Sequence, residues 1–200
     1  MRNKLNDTHG LAVAVSYAAL LSYYERDHAE VARWASDLIE LSTRRNFTLF
    51  LSFGSVYRGW ARSASDGTAE AIAFIQDGIQ GYRASGSMLL LPLFLTLKAE
   101  ASHLLGRIPD ALETIREAEA LVETSEGRCW RAELYRLRGV ILAAMGAEET
   151  QIEASFCAAI NTAKGQKSVS LEKRAEATYA EYCRRKASGS KGRGFRLPLW

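Results

Sequence analysis

The chain offers one acid–base pairing at short range, Glu100 with His103, which a helical pattern would place on adjacent turns where a carboxylate can orient an imidazole. Adjacent turns generate such pairs routinely, and no convergent polar set accompanies this one. His9, His28 and His103 are scattered, and neither an HExxH motif nor a Cys/His ligand spacing occurs, so no metal site is expected. SGSKGRG, from Ser188 to Gly194, carries glycines and a lysine but follows a helical pattern where a phosphate loop would follow a strand. Its lysine also precedes two glycines instead of closing the motif. We therefore assign no catalytic, cofactor-binding or metal-ligating residue, and expect a protein that is not an enzyme and holds no cofactor.

Charge and cysteine usage narrow the classes further. The formal net charge is +3, but Arg184, Arg185, Lys186, Lys191, Arg193 and Arg196 follow Cys183 with no acid among them. The rest of the chain, 20 basic against 23 acidic residues, stands at −3. A nucleic-acid groove on the body is thus not expected, and that case rests on the tail, whose charges could hold a phosphate backbone without sequence preference. Cys129, Cys157 and Cys183 are odd in number and form no close pair, which points to a reducing compartment and to buried thiols. MLLLPLFLTL, the longest apolar run, is about half of what a membrane span needs. No signal peptide is evident at the start, and a cytoplasmic location with no membrane partner is expected.

What would position any functional residue is a repeat. Ala18, Gly59, Ala99 and Gly139 are spaced by 41, 40 and 40 residues, each within an apolar helical run. Twelve residues after them stand Glu30, Ala71, Ala111 and Gln151, followed by Trp34, Ile75, Ile115 and, after a one-residue slip, Phe156. A small residue at a fixed place lets a paired helix approach closely, and a period of this length is the mark of stacked helix pairs that complete each other's core. The clearest unit runs from Leu95 to Leu121, where Gly106 ends one helix and Pro109 with Asp110 opens the next.

In order, the pattern predicts a polar lead over residues 1–7, then helices over about 8–24 (capped by Thr8), 29–44, 47–64 (capped by Asn46), 68–83, 92–105, 109–124, 129–145, 148–163 and 168–186. In the first, Leu11, Val15, Ala18, Leu21 and Ser22 are expected on the inner side. Residues 187–200 read as a basic Gly/Ser tail that is disordered on its own, with FRLPLW apolar enough to fold back over the last helix. The expected fold is all-α, a right-handed superhelix or solenoid of antiparallel helix pairs with about nine helices, in a repeat domain over 8–186 of about four and a half repeats.

These helix pairs resemble tetratricopeptide repeats, with Ala99, Ala111, Ile115 and Ala118 at the small and apolar positions of that pattern. NFTLFLSFGSVYRGWA, RIPDALETIREAEALVETSEGRCWRAELYRLRGVILAAMG and EASFCAAINTAKGQKSVSLEKRAEATYAEYCR resemble the repeat region of bacterial multidomain regulators. Those proteins join a cyclase-like or winged-helix domain to a nucleotide-binding ATPase domain and then to such repeats. AELYRLRG and KSVSLEKRA carry the most specific part of the likeness. Cyclase carboxylates, a GxxxxGK[ST] loop and a winged helix do not occur here, so those activities are not carried over. In the family a further helix caps the ninth, where this chain has its basic tail; a gene fragment and a free-standing relative with its own tail are the two explanations.

The resemblance implies a scaffold for protein–protein interaction or sensing, with a protein or peptide partner. First helices of each pair would line the concave groove, placing Phe53, Trp60, Thr96, Glu100, His103, Glu133, Arg136 and Val140 as its binding residues. Self-association through an uncapped ninth helix is a further expectation. The alternative function is a nucleic-acid-associated regulator acting through the basic tail.

Overall fold

The computed structural model describes residues 2–65, 68–124 and 127–188. Those residues form nine α-helices and no strand: α1 (Arg2–Glu25), α2 (His28–Arg45), α3 (Thr48–Ser65), α4 (Ala69–Ala84), α5 (Leu91–Leu104), α6 (Ile108–Thr124), α7 (Arg131–Met145), α8 (Glu149–Gly165) and α9 (Val169–Ala187). A 3-10 turn, Gly127–Trp130, leads into α7. The protein is thus all-α, and no helix among the described residues is long and apolar enough to cross a membrane.

Two end signals differ from expectation. α1 begins at Arg2, so Thr8 lies inside the helix and does not cap it; the lead contains no Gly or Pro, and extending a formed helix costs little beside nucleating one. Asn46 does not open α3 but closes α2, in the left-handed conformation at φ 58° with its N–H on the Ser42 carbonyl. Asparagine is among the few residues that tolerate that region. Asp27 caps α2 instead, accepting the Glu30 N–H at 2.9 Å.

Each helix packs on the next in sequence, and the odd-numbered helices also pack on one another in order, α1 on α3, α3 on α5, α5 on α7 and α7 on α9. The even-numbered helices α2, α4, α6 and α8 do not touch each other at this level. This row of odd helices carries most of the large buried side chains. Gly59, Ala99 and Gly139, the repeated small positions, are buried where helices meet. A Cβ on Gly59 would stand 2.5 Å from the Ala71 carbonyl oxygen and from Ile75. Gly78 is as tight, with Ser52 and Val56 against it, so both glycines repay their weak helix propensity with close approach.

The buried face of α1 is rotated from the expected one. Ala12, Val15, Ser16, Ala19, Ser22 and Tyr23 turn inward, while Leu11 and Leu21 are 52% and 62% exposed and Ala18 is half-buried. Ala12 and Ala19 bring α1 close to α2 and α3, and Leu11 and Leu21 lie on the side neither covers. The three cysteines also depart from expectation, because Cys129, Cys157 and Cys183 are all exposed. Cys157 shows why: it follows Phe156, which α8 buries completely, and neighbours on a helix point about 100° apart.

Candidate functional site

The odd-helix row is filled with two kinds of side chain. Its middle is aromatic: Phe53 of α3 meets Phe94 of α5 edge-on at 5.3 Å between centroids, and Tyr82 of α4 meets Phe94 at 5.0 Å. Trp60 of α3 lies between Tyr23 of α1 at 4.9 Å and His28, which stacks on it at 4.4 Å and 10°. Burial lowers the pKa of His28, against a smaller opposing pull from Glu100.

Beyond Trp60 the interior becomes charged. Arg26, just after α1, donates to Glu100 of α5, whose other oxygen accepts from the Tyr23 hydroxyl at 3.3 Å. Glu133 of α7 holds Arg136 through two bonds of 2.9 and 2.7 Å. The same carboxylate lies 3.7 Å from Arg26 and 3.4 Å from Arg174 of α9. Arg136 reaches the Thr178 hydroxyl at 3.3 Å, and Arg174 donates to the Tyr24 carbonyl at 2.7 Å. Three guanidiniums and two carboxylates are therefore joined across α1, α5, α7 and α9, none with a side chain more than 9% exposed.

Electrostatics explain why the group stays ionised. Burial alone would raise the Glu133 pKa, but Arg136 and Arg174, with Arg136's hydrogen bond and Arg26 behind them, bring it to about 2. Burial opposes the charge on Arg26 as well, and Glu100, Tyr23 and Glu133 overcome it and raise its pKa. Tyr23 is pushed well above the phenol range by burial and by Glu100. Arg26 also takes a left-handed backbone, φ 64°, where the turns after α5 and α7 use Gly106 and Gly146. An arginine there costs roughly 1–2 kcal/mol of backbone strain, and from this position its guanidinium reaches Glu100.

All eight residues expected on a groove lie in this row, at 8% exposure or less. Phe53 and Trp60 belong to the aromatic middle, and Val140 to the apolar core. Thr96 turns its hydroxyl back to the Pro92 carbonyl at 2.7 Å. His103 is buried at the end of α5. Glu100, Glu133 and Arg136 are brought together, but by Tyr23, Arg26, Arg174 and Thr178, none of which was among the expected groove residues. Arg26 is hidden in the ERDH turn. Arg174 lies in KSVSLEKRA and Glu133 and Arg136 in AELYRLRG, so these two runs meet here.

Open space begins where this network ends. A cleft of about 1010 Å³ lies between the end of α1, the 3-10 turn and the start of α9. Tyr24, Trp130, Leu171 and Ala177 give it apolar wall, and Arg128, Lys173 and Arg174 give it charge, with Ser168 and Ser170 beside them. Gln166 fixes the 3-10 turn by donating to the Arg128 carbonyl at 2.6 Å. The Trp130 indole N–H has no partner among the described residues. The tail, including the lysine of SGSKGRG, the basic charges from Lys191 onward and FRLPLW, lies outside the described residues.

Comparison with known proteins adds little about chemistry. No family model matches the chain, and no solved structure does. An uncharacterised protein of Rhizobium meliloti (strain 1021) is similar, 25% identical over 179 residues, which is 90% of this chain. The chain spans only 17% of that relative's length.

Proposed function

We propose that the chain is a non-catalytic helical-repeat module for interaction or sensing, built as a tetratricopeptide-like right-handed solenoid. The cleft between α1, the 3-10 turn and α9 is its docking site. In this reading the odd helices form the inner row of the solenoid, in line with their packing on one another while the even helices pack only on sequence neighbours. Such an inner row is where repeat proteins bind, and here the chain's own aromatics and ion pairs fill most of it. The cleft carries the proposal: it combines the apolar walls of Tyr24, Trp130 and Leu171 with the exposed cations Arg128 and Lys173. Similarity to a segment of a much longer protein suits a module that works beside other domains.

Selection of peptide and small-molecule libraries on the full chain tests this, with each binder re-measured on Trp130→Ala after circular dichroism confirms the fold. Binders that lose tenfold or more in affinity are the expected result. Binders indifferent to Trp130→Ala, or specific nucleotide turnover by the pure protein, would overturn the reading.

A further inference from the structure

We infer that the ligand of this cleft is a small organic anion, with a carboxylate or phosphate seated on Arg174 and an apolar or aromatic body against Tyr24, Trp130 and Leu171. The inference rests on the cleft being the docking site. Its first support is a charge count. The buried network holds three guanidiniums, Arg26, Arg136 and Arg174, against two carboxylates, Glu100 and Glu133, and so carries one uncompensated positive charge.

That surplus is located at Arg174. Arg26 takes Glu100, and Arg136 takes both oxygens of Glu133. Arg174 is left with a 3.4 Å approach to an oxygen already bound by Arg136, a 2.7 Å bond to a neutral carbonyl and a position over the Tyr24 ring at 5.6 Å, none of them a carboxylate of its own. A buried cation without its own counter-ion is costly, and an anion arriving beside it is held more strongly than at an open surface. Arg174 is also the member of the network that lines the cleft.

The cleft wall agrees. Among the described residues its lining has three cations and no acid. Glu172 and Glu176, next in sequence to Lys173 and Ala177, lie 3.7 and 3.6 Å from Lys164 and are not among the described lining residues. Ser168 and Ser170 add hydroxyl donors where α9 begins, and the N-terminus of that 19-residue helix adds favourable dipole for an anion. The apolar wall asks for more than a bare inorganic ion: the cleft is as large as ligand pockets that take drug-sized molecules, at about 300–1,000 Å³.

Isothermal titration of the full chain with phenyl phosphate, benzoate, inorganic phosphate and benzyl alcohol decides the matter. Phenyl phosphate or benzoate should bind at one site at least tenfold tighter than benzyl alcohol and than inorganic phosphate. Which of the two wins separates a phosphate from a carboxylate ligand. The preference should fall tenfold or more in Arg174→Gln. Should that variant unfold, the double variant Arg128→Gln/Lys173→Gln, which alters only exposed side chains, must show the same loss. Equal binding of phenyl phosphate and benzyl alcohol would overturn the anion while leaving the cleft as docking site intact. Anion binding unchanged in the double variant would overturn it too, as would library binders lost in Trp130→Ala with none of the four probes bound. Absence of any Trp130-dependent ligand removes the docking-site reading itself.

Discussion

The middle of the odd-helix row and its far side are equally buried, yet one is built from aromatic rings and the other from ion pairs. Phe53 and Tyr82 each meet Phe94 edge-on, contacts worth about 0.5–1.5 kcal/mol each beyond burial that tolerate small shifts. Arg26, Glu100, Glu133, Arg136 and Arg174 depend on direction and on every partner being present. The difference follows from distance. α1 packs directly on α2 and α3 but not on α7 or α9, so apolar side chains cannot bridge it to them. Arginine can, and the Arg174 bond to the Tyr24 carbonyl ties segments 150 residues apart. Charge thus links the end of α1 to α5, α7 and α9, helices on which α1 does not pack.

The comparison breaks most sharply at Glu133. Glu133→Gln leaves Arg136 and Arg174 buried without their carboxylate, which should cost about 3–5 kcal/mol. Phe94→Leu, an equally buried change in the aromatic middle, should cost about 1–2 kcal/mol, because neighbouring rings can close on the space. Urea unfolding of both variants checks the order, and a Glu133→Gln protein no less stable than Phe94→Leu would remove the network's claim to hold the chain together.

Acid separates the two regions next. Glu133 in the fold titrates at about 2 against an ordinary 4.5. A carboxylate with a depressed folded value stabilises the fold above its unfolded pKa, and that stability is lost as pH falls from about 4.5 toward 2. The loss should be on the order of 3 kcal/mol. Urea midpoints between pH 5 and pH 2.5 should therefore fall steeply in the natural chain and in Phe94→Leu, and distinctly less in Glu133→Gln.

Much of the architecture is legible in the sequence because helix periodicity, Gly106, Gly146 and Pro92 are local signals. Apart from the start of α1, helix bounds agree with expectation to within about two residues. The eight groove positions were legible as one row, since register along a repeat carries a residue from one helix to the next. Whether they are open or covered was not, because what covers Glu100 and Glu133 comes from Arg26 and Arg174, 74 residues before one and 41 after the other. Neither arginine stands out locally: one is in a polar turn and the other on a half-buried helix. The face of α1 was misplaced for a related reason, since Leu11 and Leu21 obey helical spacing but only packing decides whether Ala12 or Leu11 turns inward.

The two regions can also be compared through one repeat position, occupied by Gly59 in the aromatic middle and by Gly139 two repeat periods further along the chain. An added methyl at Gly59 meets backbone, the Ala71 carbonyl oxygen at 2.5 Å and the Ile75 nitrogen at 3.0 Å, so α3 and α4 must separate. At Gly139 its three nearest atoms are all of the Phe156 ring, the first at 2.8 Å, and that ring stacks on Tyr179 of the half-covered α9, where it can tilt. Gly59→Ala should thus cost about 1–3 kcal/mol, the range of overpacking, and Gly139→Ala less. Gly10→Ala, in α1 with nothing within 4 Å, should instead add up to about 1 kcal/mol through helix propensity. Thermal unfolding of the three variants orders them. If Gly139→Ala proved as costly as Gly59→Ala, the end of the helix row would be as rigid as its middle, and the latitude assigned to α9 beside the cleft would have to be withdrawn.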